Sequence, residues 1–171
     1  MILDDYLMND TISEDDLLDL VESKIPNLYF MAPVINLSNG GVFDDRKYFE
    51  LFSKVLILRG EEKLSDVYPA LFLWLKDLSY PGALQMREFL IRSDKRSFMK
   101  GIYGSIILAH DDQNEEWLSN LLATLSERDN GPIGDLCEYM IDTEDYENDY
   151  NTLIDLIEKD QDIQDYEEEI Y

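Results

Sequence analysis

The chain has 171 residues, 38 acidic and 14 basic, for a formal net charge of −24; 45% are hydrophobic and 12% aromatic. That apolar content supplies a core for one domain and excludes the core-poor composition of a disordered chain. Contact with phosphates or anionic lipid needs clustered Lys and Arg, so the balance weighs against direct nucleic-acid or membrane partners and toward cations or a basic protein.

The charge sits at the two ends. Residues 1–22 hold eight acids and no base, residues 23–137 sixteen acids and thirteen bases, and residues 138–171 fourteen acids and one base. The start, MILDDYLMND, has acids where a secretory or transit peptide needs basic residues and then an apolar run. No uncharged apolar stretch long enough to span a bilayer occurs. The expectation is one cytoplasmic domain over 1–171: an acidic N-terminal helix over 1–23, a helical-repeat core over 44–141, and an acidic C-terminal helix or helices over 144–171. The single cysteine, Cys137, lies among apolar neighbours in IGDLCEYMI and reads as a buried small hydrophobe.

Apolar residues recur at three- and four-residue spacing through most of the chain, which predicts an all-α fold. Ser13 ahead of EDDLLDLVES, with Asp16 three residues on, predicts an N-cap and a helix over 14–23. From 24 to 43, Pro26, Pro33 and Gly40-Gly41 leave two readings, a short helix after Pro26 or an extended connector, of which the helix is preferred. Tyr48, Phe49, Phe52, Val55 and Leu56 then line one face of a helix that ends near Gly60.

A helix over 66–78 follows, with Val67, Leu71, Trp74, Leu75 and Leu78 as its inner face; SYPGAL breaks it and starts the next helix with Pro81 in the first turn. Helices over 95–109 and 114–127 make a second hairpin, in which Gly101 and Gly104 offer points of close approach, and helices over 132–141 and 145–159 make a third. Sliding the second hairpin onto the first by 34 residues matches Leu75 with Ala109, Asp77 with Asp111, Leu84 with Leu118 and Ile91 with Leu125. Such spacing predicts a short α-solenoid of antiparallel helix hairpins.

LFLWLKDLSYPGA (71–83) and LAHDDQNEEWLSNLL (108–122) resemble the signature of a family of uncharacterised bacterial helical-repeat proteins related to HEAT repeats. In that family a Trp-Leu helix end, an Asp, an aromatic-Pro turn and a following helix recur. The resemblance covers roughly 65–127, does not reach the acidic ends, and implies a HEAT/ARM-like stack. In size, charge and architecture the chain also resembles the helical immunity proteins that accompany bacterial polymorphic and contact-dependent growth inhibition toxins.

Chemistry finds little support. His110 is the only histidine, and no zinc-ligand spacing accompanies it; a triad with, for example, Ser105 and Asp111 would place the nucleophile within an apolar helix pattern instead of a nucleophile turn. A helix-terminal role beside the last carbonyls suits His110 better. Asp145, Glu147 and Asp149 alternate as calcium ligands do, but Tyr150 and Leu156 stand where that loop requires Gly and Glu. The adjacent acids Glu115 and Glu116, after Asn114, suit a helix start. No catalytic residue, metal or cofactor is expected.

In the terminal stretch, Tyr146, Tyr150, Leu153, Ile154 and Ile157 share one helical stripe, which Ile163, Tyr166 and Ile170 prolong, and this stripe reads as packing. Residues 138–171 would span roughly 51 Å as one continuous helix. Their net charge would then fall every ~4 Å, close to the ~3.4 Å spacing along one DNA strand. Such a surface competes for a protein built to grip nucleic acid.

The expected function is an immunity protein that neutralises a basic nuclease toxin, a ribonuclease above other nucleases, by covering its substrate cleft, as a monomer or in a 1:1 complex. The alternatives are a nucleic-acid mimic, an acid-lined metal-dependent enzyme and a non-catalytic helical scaffold. Two alternative patches carry the contact: Asp111, Asp112, Glu115 and Glu116, or Asp142, Glu144, Asp145, Glu147 and Asp149. Trp117, Tyr146 and Tyr150 are the candidate anchors, provided they are exposed.

Overall fold

A computed structural model describes residues 12–38, 46–144 and 146–168; the side chains of Ser38, Arg46, Lys47 and 161–168 fall outside that description. The described chain is all-α, a repeat-like stack of α1 (Glu14–Glu22), α2 (Asn27–Ser38), α3 (Arg46–Arg59), 3₁₀ turns at Glu61–Lys63 and Tyr68–Lys76, α4 (Ala83–Arg92), α5 (Lys95–Asp111), α6 (Glu115–Arg128), α7 (Pro132–Thr143) and α8 (Tyr146–Glu168). No helix among the described residues is long and apolar enough to cross a membrane.

Local chemistry starts the helices where the sequence suggested. Ser13 Oγ accepts from the Asp16 N–H at 3.1 Å, Asp94 Oδ2 from Ser97 at 2.9 Å, and Asn114 Oδ1 from Trp117 at 3.0 Å. The Ser97 bond stabilises the charged form of the Asp94 carboxyl and holds its pKa below the usual value. The stretch after Pro26 is helix, with Phe30, Met31 and Val34 fully buried, so the extended connector is set aside.

The helix expected over 66–78 is a 3₁₀ segment instead, confined to Tyr68–Lys76. Two of its carbonyls accept hydrogen bonds from side chains of α6: Trp117 Nε1 donates to Phe72 O at 3.2 Å and Asn120 Nδ2 to Leu75 O at 2.9 Å. Leu71, Phe72, Trp74 and Leu75 have no exposed surface, so the segment is gripped on several sides and tolerates the poorer internal geometry. Pro81 likewise precedes α4 instead of sitting in its first turn, because Gly82 turns the chain at φ 85°. A side chain at Gly82 would meet Ser53 Oγ at 1.9 Å.

Five bonds from Arg87 and Arg128 join α4 and the residue after it to α6, and all span 35 to 38 residues of sequence, so the two helices run in the same sense. This is the relation between second helices of successive hairpins. The 34-residue superposition still fails at one pair: Leu84 is 57% exposed, whereas Leu118 is 3% exposed. The last four helices pack in a ring, each on the next and α8 back on α5. Lys95 pairs with Asp160 at 3.1 Å, Tyr103 donates to Glu158 at 2.7 Å, and His110 stacks on Tyr150, so α5 and α8 are antiparallel.

Arg59, the last residue of α3, reaches the end of α1. Its guanidinium donates to Leu20 O, Val21 O, Ser23 O and Ile25 O at 2.8–3.2 Å and to Asn27 Oδ1 at 2.6 Å, and lies 4.6 Å from the Phe30 ring centre. Replacing it with Met leaves these acceptors without a donor and should lower stability by about 3 kcal/mol or more, read from urea midpoints. Arg59→Lys should recover little, because one ammonium cannot span the fork.

Of the two glycines expected at close approaches, only Gly101 is one: an added Cβ would meet Phe72 Cε2 at 2.3 Å, whereas at Gly104 it meets nothing within 4 Å. Gly101→Ala should therefore destabilise by about 1–3 kcal/mol through overpacking. Gly104→Ala should be neutral or stabilising by up to about 1 kcal/mol, since Ala is the better helix former. Paired thermal melts check both.

Candidate functional site

The two acidic patches treated as alternatives in the sequence come together at one notch, which Glu115 of the first and Glu147 of the second both line. Antiparallel pairing of α5 and α8 brings the α5–α6 turn beside the start of α8, where His110 and Tyr150 stack with ring centres 3.8 Å apart at 14°. Beside this stack lies a notch of about 360 Å³. Ala109 and Leu118 give it an apolar floor; His110, Asn114, Tyr146, Glu115 and Glu147 are among its walls and rim.

Asp111 ends α5 and Asp112 follows it, both exposed; Glu115 and Glu116 are exposed in the first turn of α6. Asp142 is exposed near the end of α7, and Glu144, at φ 54°, ends that helix and turns the chain into α8. The acidic end is thus folded back on itself between two helices and is not one continuous rod. Glu147 is exposed and Asp149 partly so; Asp145, the side chains of Ile163 and Tyr166, and Ile170 lie outside the described residues.

Trp117 is a correction. It is 1% exposed, with Nε1 bonded to Phe72 O and the Lys76 ammonium 4.5 Å from its ring centre. It shares the inner stripe of α6 with Leu118, Leu121 and Leu125 and packs in the core, so it cannot serve as a surface anchor. Tyr146 and Tyr150 are half-buried: each packs on the core and keeps some surface. Burial and then the Asp111 charge push the Tyr150 hydroxyl above its ordinary pKa, so the ring remains a neutral hydrogen-bonding aromatic. Leu153 and Ile157 are fully buried and Ile154 partly, as the stripe requires.

Searches against protein families, curated proteins and solved structures find no match. The site therefore rests on its own geometry. No group of three or more His, Cys, Asp or Glu side chains among the described residues is placed to hold a metal ion. His110 lies in the last turn of α5, with Nδ1 3.8 Å from Asp111 Oδ1, and its contact with Tyr150 is the part sequence reasoning missed. That contact joins residues far apart in sequence and becomes visible only once α8 is known to pack on α5.

The Asn114 cap holds the start of α6, and the notch forms where that turn meets Tyr146 and Glu147 of α8. Among the described residues, Glu50, Glu88 and Glu127 pair with Lys54, Arg92 and Arg87, whereas no Lys or Arg lies within ion-pair distance of Glu115 or Glu147. The face can therefore attract cations without first breaking ion pairs of its own.

Cys137 is buried on α7, and desolvation, with a smaller effect from Asp129, pushes its thiol up to about 12. At pH 8 the thiolate is scarce and shielded, so a disulfide reagent should label the native protein at least about 100-fold more slowly than the urea-unfolded chain. Absorbance at the released thiolate dye reads both rates.

Proposed function

We propose that the chain is a binding protein for a cationic protein: an immunity-type inhibitor that captures a basic ribonuclease domain and covers its substrate cleft. The observation that carries this reading is the convergence of the α5–α6 turn and the start of α8 into one acidic face around the notch. A ribonuclease cleft holds Lys and Arg where phosphates must lie, and a dense array of carboxylates competes for the same groups. Complementary charge of this kind can raise encounter rates to ~10⁸–10⁹ M⁻¹s⁻¹ at low salt, the quality an inhibitor needs when its target destroys RNA.

The notch suits one long basic side chain lying across it, with methylenes over Ala109 and Leu118 and the charged head toward Glu115 and Glu147. The half-buried Tyr146 adds an aromatic wall for that head. A nucleic-acid mimic would use the same charge, and breadth separates the two: a mimic binds many basic proteins alike, whereas an inhibitor discriminates among related toxins.

The test is stopped-flow association with a panel of basic ribonuclease domains, over a salt series, for the native chain and a variant carrying Asp111→Lys, Glu115→Lys, Glu144→Lys and Glu147→Lys. The native chain should strongly prefer one domain. The folded variant should associate at least about tenfold more slowly with it and show a flatter salt dependence. Unchanged association removes this face from the interface, equal binding to every domain favours the mimic, and no binding to any member defeats both.

A further inference from the structure

The far end of the four-helix ring has the opposite chemistry. A cavity of about 840 Å³ opens where the end of α4, the start of α5, the end of α6, the start of α7 and the middle of α8 meet. Met99, Leu125 and Ile133 are buried in its lining, and Leu156 is half-buried. Its volume lies within the ~300–1,000 Å³ usual for small-molecule sites, and its apolar floor has the character such sites share.

The charges around this floor run against the composition of the chain. Among the described residues, Lys95, Arg128 and Lys159 line the cavity against Asp129 and Asp160, three bases to two acids, in a protein whose acids outnumber its bases 38 to 14. Both acids are already engaged: Asp160 pairs with Lys95 at 3.1 Å, and Asp129 Oδ1 accepts from the Gly131 N–H at 2.7 Å. Arg128 donates to Leu90 O, Ile91 O and Ser93 O, so it adds positive charge with its fork occupied. No carboxylate among the described residues lies within ion-pair distance of the Lys159 ammonium, which is exposed at the opening. The acids of the opposite face act weakly here, since salt screens exposed charges beyond about 8 Å.

We propose that this cavity binds a small amphipathic carboxylate, its apolar body on Met99, Leu125, Ile133 and Leu156 and its head on Lys159, with Lys95 as a second donor. The site stands apart from the acidic face and does not depend on what that face binds. A neutral apolar ligand would leave the Lys159 ammonium unused, and an amphipathic cation would meet it as a like charge.

The test uses the anilinonaphthalene sulfonate dye, itself an apolar body with one anionic group, on the native full chain. It should saturate at one site per chain. Decanoate below its micelle threshold should displace it at a concentration at least about tenfold lower than decyltrimethylammonium, which has the same tail and the opposite head. Lys159→Glu, a change on an exposed side chain, should weaken the dye and decanoate at least about tenfold and leave the fold intact, whereas Lys24→Glu, the same charge change on the exposed connection between α1 and α2, should leave both unaffected. Absent or non-saturating dye binding, equal displacement by the two amphiphiles, or an unchanged Lys159→Glu variant would each overturn the site.

Discussion

The stack depends on arginines that finish one helix by bonding the carbonyl end of another. A helix end leaves acceptors that must find donors, and burying them unpaired is costly. Arg59 at the end of α3 supplies those donors to the end of α1, and Arg128 at the end of α6 supplies them to the end of α4. Each guanidinium also lies over a phenylalanine, Phe30 at 4.6 Å and Phe98 at 4.4 Å, so one side chain closes a helix, covers an aromatic and fixes two helices relative to each other. The forked, planar shape of Arg makes this arrangement available where Lys would not. Desolvation lowers the pKa of Arg59, yet the starting value is high enough that the group stays charged.

That use of cations shapes the surface. Arg59, Arg87 and Arg128 bond backbone carbonyls, Lys76 lies over Trp117, and Lys54, Arg92 and Lys95 pair with Glu50, Glu88 and Asp160. The described acids at the α5–α6 turn and the start of α8 are left without Lys or Arg counter-charges among the described residues. Their repulsion is the cost, at about 1 kcal/mol per contact pair in water and less with salt. The apolar ring of α5–α8 must offset it, with Leu118, Leu121, Leu122, Leu125, Cys137, Met140, Leu153 and Ile157 nearly or fully buried.

Periodicity made the helical fold legible because every long element has a buried stripe, and capping residues such as Ser13 and Asn114 marked starts to within a residue. It failed at Tyr68–Lys76, a 3₁₀ segment two of whose carbonyls accept from α6 side chains 45 residues away, contacts that local periodicity does not register. It also failed at Leu84, where a match to Leu118 placed an exposed residue on a buried register. At the site, the acidic residues were legible as charge, but their union was not. The two patches sit on separate segments, and only the α5–α8 pairing, made by Tyr103 with Glu158 and Lys95 with Asp160, sets them side by side.

The burial of Trp117 changes what kind of interface the acidic face can form. Lasting affinity in protein complexes usually rests on a few desolvated aromatic or arginine anchors, with charge governing encounter. With Trp117 in the core, the aromatic surface beside the notch is the exposed part of Tyr146 and Tyr150, and His110 already covers one face of the latter; Tyr139, one turn before Asp142, is exposed but does not line the notch. In the proposed complex the anchor best suited to the notch is a side chain of the partner that enters between Glu115 and Glu147. In that proposed complex the buried contact and the steering charges would occupy the same few residues, so encounter rate and complex lifetime would not be tuned separately at this face. Substitutions at Glu115 or Glu147 would change both together, whereas Asp112 and Glu116, exposed and absent from the lining of the notch, would act on encounter alone.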